Sequence, residues 1–221
     1  MSEFLHFSEH TLQEVALLIM AVVYTLRITW LLRYKAGRDR QAPTGASTQT
    51  KGIIYSWMNI ALPWGMESTR KKAFLYIQFV IFHLGVVAAI SLSFIIPYAP
   101  QLLELRTMVV GMQIVVGAAF IVSLLRVYRR VSDKYMRAIS TPDDYFSLIL
   151  LTIWFFFAVL AAPNRSSQGE TTLIVFFWLT AFFLIYVPFS KISHYLYYPF
   201  TRYYFGKTMG YRGVFPIRRQ S

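Results

Sequence analysis

The chain has 221 residues, of which 56% are hydrophobic and only 14% charged. A soluble domain of this length needs a larger polar shell, so lipid must be the solvent for much of the surface. The net charge of +12 sits in a few segments between apolar runs, the pattern of loops beside anionic headgroups and not of a nucleic-acid surface. With no cysteine, the chain itself holds no iron–sulfur cluster, no disulfide and no covalently attached haem.

Taken in chain order, the first residues, MSEFLHFSEH, are acidic, and no small-residue cleavage site follows the first apolar run. The first helix is therefore expected to stay in the membrane rather than to be removed as a signal peptide. His6 and His10 stand four apart on one helix face but lack a third ligand nearby, so a solvated terminus is the expectation over a metal site. Apolar stretches near twenty residues long predict five spans, at about residues 11–33, 73–97, 106–128, 144–163 and 171–198. The expected fold is a single all-α integral membrane domain, a five-helix bundle, with a tail over 199–221. Between the first two spans, GIIYSWMNIALPW is amphipathic and suits a helix lying at the interface.

Basic residues give the orientation. The first connection carries Arg33, Lys35, Arg38, Arg40, Lys51, Arg70, Lys71 and Lys72, the third Arg126, Arg129, Arg130, Lys134 and Arg137. The tail adds Arg202, Lys207, Arg212, Arg218 and Arg219, whereas the other two connections each balance one Arg with one Glu. The positive-inside rule then puts the N-terminus outside and the C-terminus in the cytoplasm, as an odd number of spans requires. Asp143 and Asp144, after Thr141-Pro142, suit a helix N-terminus and are read as caps.

Two of the four histidines, His83 and His194, fall within or at the inner end of apolar spans. An imidazole in lipid needs a partner, and a haem iron bound axially by two histidines satisfies both rings. His83 lies about 16 Å up its helix from Lys72, and His194 near the inner end of its own, so a simple count separates them by about two turns and calls for helix tilt. Arg27, Arg126, Lys191 and Arg202 are candidate cations for haem propionates; for Arg27, snorkelling to the interface is an equal reading. Gly85, Ala88 and Ala89 on the second span and Gly111, Gly117, Ala118 and Ala119 on the third leave room for a macrocycle or serve close packing, the second being preferred. No nucleophile–base pair, phosphate-binding glycine loop or zinc-ligand spacing occurs.

LRITWLLRYKAG, IFHLG, RRVSDKYMRAISTPDDYFSLILL and, most specifically, PFSKISHYLYYPFTRYY resemble the gamma, cytochrome b subunit of respiratory nitrate reductases and its relatives in heterodisulfide-reductase-like and sulfite-reduction-associated complexes. The resemblance covers most of the chain. It implies haem b between the second and fifth helices, quinone as redox partner, and a cytoplasmic iron–sulfur subunit or an outside multihaem cytochrome in the same complex. The location implied is a bacterial or archaeal cytoplasmic membrane. Typical members bind two haems through two histidines on each of those helices. Here only His83 and His194 have counterparts, while Ser93 and Phe176 stand near the outer positions, so one haem is expected. Another reading is a haem-free anchor or assembly subunit of such a complex; a small-solute transporter gains little, because the spans show no paired mid-membrane acids and no evident inverted repeat.

Overall fold

The computed structural model describes residues 2–34, 37, 40, 42, 48–61, 70–166 and 169–217. Lys35, Arg38, Arg218, Arg219 and the end of the amphipathic stretch from Leu62 lie outside the described residues. Among those described there is no strand. The helices are α1 (Glu3–Glu9), α2 (Thr11–Arg33), α3 (Gln49–Ala61), α4 (Ala73–Tyr98), α5 (Arg106–Ser132), α6 (Lys134–Ile139), α7 (Pro142–Ala161), α8 (Thr171–Tyr186) and α9 (His194–Tyr211).

Among the described residues, five helical stretches are long and apolar enough to cross a membrane: Glu3–Arg33, which joins α1 to α2, then Ala73–Tyr98, Arg106–Ser132, Pro142–Ala161 and Thr171–Phe189. The chain is a multi-pass membrane protein. Helices suit that solvent because each satisfies its own backbone polar groups where no water can. Local chemistry sets their ends. Pro142 occupies the first turn of α7, where its missing N–H loses nothing, and Asp133 caps α6 by accepting the N–H groups of Tyr135 at 2.8 Å and Met136 at 3.3 Å.

The fifth span differs from expectation. The helix was expected to continue to about residue 198, but α8 stops at Tyr186 and the chain passes through two 3-10 turns, Val187–Phe189 and Lys191–Ser193. Pro188, in the first of these, has no N–H for the α-helical ladder. His194 is therefore the first residue of α9, and much of the expected tail, to Tyr211, is helical.

The chain folds as two compact units, Met1–Leu26 with Leu75–Ile192, and Arg27–Phe74 with Ser193–Ser221. In the first unit α7 runs beside both α5 and α8, and α1 lies on α8. Its core is aromatic: Phe155, Phe176 and Phe177 are fully buried and Trp154 is nearly so. Trp154 stacks on Phe176 at 6.3 Å and 11° and meets Phe183 at 5.4 Å. Its indole N–H donates to Thr180 Oγ1 at 2.8 Å, and that hydroxyl donates to the Phe176 carbonyl. The polar groups of this layer are thus partnered, as a lipid-surrounded core requires. α4 reaches α5 at one tight point, where a Cβ on Gly85 would overlap the Ala119 Cβ, and reaches α7 through Phe82 against Phe155 at 5.3 Å.

In the second unit α3 packs along α9. A Cβ on Gly52 would overlap the Gly206 carbonyl oxygen and lie 2.5 Å from the Gly210 Cα. The contact pairs Gly206-x-x-x-Gly210 with Gly52-x-x-x-Ser56, small residues one turn apart that let two backbones touch. Ser56 and Arg202 lock it: the Ser56 hydroxyl donates to the Arg202 carbonyl at 2.9 Å, and the Arg202 guanidinium donates to the Ser56 carbonyl at 2.8 and 3.2 Å. Gly213, at φ +75°, ends α9 in the left-handed region and turns Phe215 back onto Tyr55 and Phe205.

Candidate functional site

His83 lies mid-way along α4, half-buried, in the first unit. Its Nδ1 is 2.7 Å from the Phe79 carbonyl oxygen one turn earlier. A carbonyl only accepts, so in the neutral ring Nδ1 carries the proton and the lone pair is on Nε2. Phe79 lies against the imidazole at 4.0 Å between ring centres and Phe82 at 5.9 Å, edge-on. One side chain thus has its tautomer and its ring plane set by its own helix, which is how second-shell groups orient a metal-binding histidine.

Of the candidate cations, Arg126 is the one in the same unit beside this helix region: its guanidinium lies 4.7 Å from the centre of the Phe82 ring, next to His83 in sequence. Lys191, also in this unit, is engaged elsewhere. Its ammonium donates to Thr141 Oγ1 at 2.8 Å and to the Asp144 carboxylate at 3.0 Å. That carboxylate also accepts the Thr141 N–H at 2.8 Å and faces Arg130 at 3.8 Å, so Asp144 is the cap expected at the start of α7. Asp143 is not a second cap: it accepts a hydrogen bond from the Tyr186 hydroxyl, which is also 2.9 Å from Ser147, and so ties α7 to α8. Spacing alone could not separate the two aspartates, since both fall in the first turn.

In the second unit His194 is exposed at the start of α9. Arg27 is half-buried and donates to the Tyr197 hydroxyl at 3.4 Å, while Arg202 makes the Ser56 clamp. The two histidines therefore belong to different units, each with its own surroundings.

The positions expected to lack outer ligands are filled by packing. Ser93 is buried with its hydroxyl donating to the Ile90 carbonyl at 2.7 Å, and Phe176 is fully buried beneath Trp154. Of the small residues, Gly85, Ala89 and Ala119 serve close packing, Gly117 has only Val159 at 4.0 Å, and Gly111 faces open space. His6 and His10 do share a face, their rings 4.7 Å apart, with Tyr98 edge-on to His10 at 5.3 Å. No group of three metal-binding side chains forms among the described residues. An open groove of about 470 Å3 runs between α1, α7 and α8. It is walled by apolar and aromatic side chains from Phe4 to Phe182 and offers no histidine.

Sequence reasoning missed two features. The glycine contact of α3 with α9 was signalled by GKTMG and GIIYS, whose small residues recur every four positions. The clasp of Asp143 with Tyr186 joins residues 43 apart and had no local signal. No family model, curated protein or solved structure matches this chain.

Proposed function

We propose that this chain is the membrane cytochrome b subunit of a respiratory redox complex in a bacterial or archaeal cytoplasmic membrane, similar to the nitrate reductase gamma subunits. In this reading it carries one haem b, with His83 and His194 as axial ligands, and passes electrons between quinone and iron–sulfur or multihaem partner subunits. The N-terminus is outside and the C-terminus cytoplasmic. The observation that carries the reading is the fixed tautomer of His83, a mid-span imidazole whose Nδ1–H is held by the Phe79 carbonyl so that Nε2 bears the lone pair a haem iron takes.

The haem, when bound, supplies one-electron chemistry at iron. The chain's residues do the rest. Phe79 orients the ligand ring through its carbonyl and its phenyl group, Arg126 offers a cation to a propionate, and the Trp154–Phe176 layer fills the level at which a second haem would lie. That filling favours one haem over the two of typical relatives. His194 supplies the second ligand, as the sequence assigns it.

The test is haem content in purified full-length protein. His83→Ala and His194→Ala should each abolish the b-type absorption bands while the protein still inserts in the membrane. Retention of the full spectrum by either variant would remove that histidine from the ligand set. Colourless wild-type protein would favour the haem-free anchor.

A further inference from the structure

The charges of the two units differ sharply. The first contains eight basic and eight acidic residues, the second fourteen basic and two acidic, so the second carries the whole net charge of +12. It also holds eight of the 15 tyrosines and three of the five tryptophans, but only four of the 19 phenylalanines. Tyrosine and tryptophan suit the boundary between lipid and water, and lysine and arginine suit the phosphates there.

Within this unit α3 has two opposed faces. At 100° per residue, Gly52 and Ser56 point one way, toward α9, while Lys51, Ile54, Trp57 and Met58 fall on the opposite arc. The last three are 57%, 47% and 47% exposed, which is a large apolar stripe for a helix whose other side is already packed. α9 adds exposed Lys207 beside its glycine contact.

We infer that the α3/α9 pair is a binding unit for anionic phospholipid, with Ile54, Trp57 and Met58 sunk to the boundary of headgroups and acyl chains and Lys51 and Lys207 against headgroup phosphates. An acidic protein surface would match the charge but not the apolar stripe with its tryptophan, and the neighbouring spans hold this unit at a bilayer in any case. The glycine contact holds the two backbones together, so the points from which both lysines extend are set before lipid binds. A helix of this kind buries its apolar face about 5–10 Å into the boundary.

Full-length protein in phosphatidylcholine vesicles containing phosphatidylglycerol tests this, with brominated acyl chains on one lipid or the other as quencher. The Trp57 emission is isolated as the difference from Trp57→Phe. Brominated phosphatidylglycerol should quench it more than an equal fraction of brominated phosphatidylcholine. That preference should fall by up to about fivefold for Lys51→Gln or Lys207→Gln, and vanish in high salt. Equal quenching by the two lipids would overturn the inference, leaving an apolar anchor without headgroup choice. Trp57 untouched by either lipid would also overturn it, in favour of a face that docks protein.

Discussion

In the first unit α7 meets α8 through rings, Trp154 on Phe176 with Phe155 and Phe177 fully buried beside them, whereas in the second α3 meets α9 through Gly52, Gly206 and Gly210, with the small Ser56 side chain buried beside the touching backbones. α7 and α8 lie within two of the apolar spans, where lipid is as apolar as a leucine side chain and water drives nothing together, so that pair must gain from packing and from partnered polar groups; α3 and α9 belong to none of those spans, and their contact rests on close backbone approach and the Ser56–Arg202 hydrogen bonds. Large side chains and absent ones are alternative ways to remove gaps. They fail in opposite ways: the ring layer fails when atoms are taken out, the glycine contact when they are put in.

Substitutions of the two kinds therefore sharpen the contrast. Trp154→Ala empties the centre of the first unit and removes the indole's bond to Thr180, whose hydroxyl keeps the Phe176 carbonyl, with an expected loss of about 3–5 kcal/mol, read as a lower midpoint in detergent unfolding of the whole chain. Gly206→Leu drives atoms into the Gly52 carbonyl and the Ile53 Cα, each 2.7 Å from the new Cβ, and should cost about 1–3 kcal/mol. Because the chain has no cysteine, Ser56→Cys reports that change directly. Its thiol, at a position fully buried in the parent, should become reactive to a water-soluble maleimide when Gly206→Leu is added. An unreactive thiol would show that the glycines do not hold the pair closed.

The smallest effect belongs to the exposed contact at the start of α1. The Glu170 carboxylate accepts the Ser2 hydroxyl and, at 2.7 Å, the Ser2 N–H, and these bonds hold it below the usual carboxylate range. Its folded value lies under its unfolded one, so the contribution is complete above the ordinary glutamate value of about 4.3 and fades as acid titrates the folded group. The protection of the Leu5 amide, whose N–H bonds Ser2 Oγ at 3.1 Å, taken relative to the intrinsic exchange rate at each pH, should fall in acid, and Glu170→Gln should remove that pH dependence. A variant with the parent's profile would assign the change to another group.

The spans were legible because twenty-residue apolar runs leave little choice in a bilayer: the second, third and fourth lie within about a turn of expectation, and the first ends where expected but begins earlier, at Glu3. The fifth was drawn too long: apolar residues continue past Pro188, so composition hides a break that the missing N–H enforces. Asp144 as a cap was legible from Thr141-Pro142, while the role of Asp143 depended on Tyr186 from another helix. For His83, its depth in a span marked it as a residue needing a partner, but not the Phe79 carbonyl that sets its tautomer. Arg202 was legible as a cation and not as a clamp, since its partner Ser56 is 146 residues away.

The most direct test of the account is haem stoichiometry in the purified, full-length wild-type protein made with haem supplied. A reduced-minus-oxidised spectrum, with haem quantified as its pyridine complex, should give a b-type signal at about one haem per chain. Two haems would contradict the burial of Ser93 and Phe176 in side-chain packing, and none would contradict the assignment of His83 as a ligand.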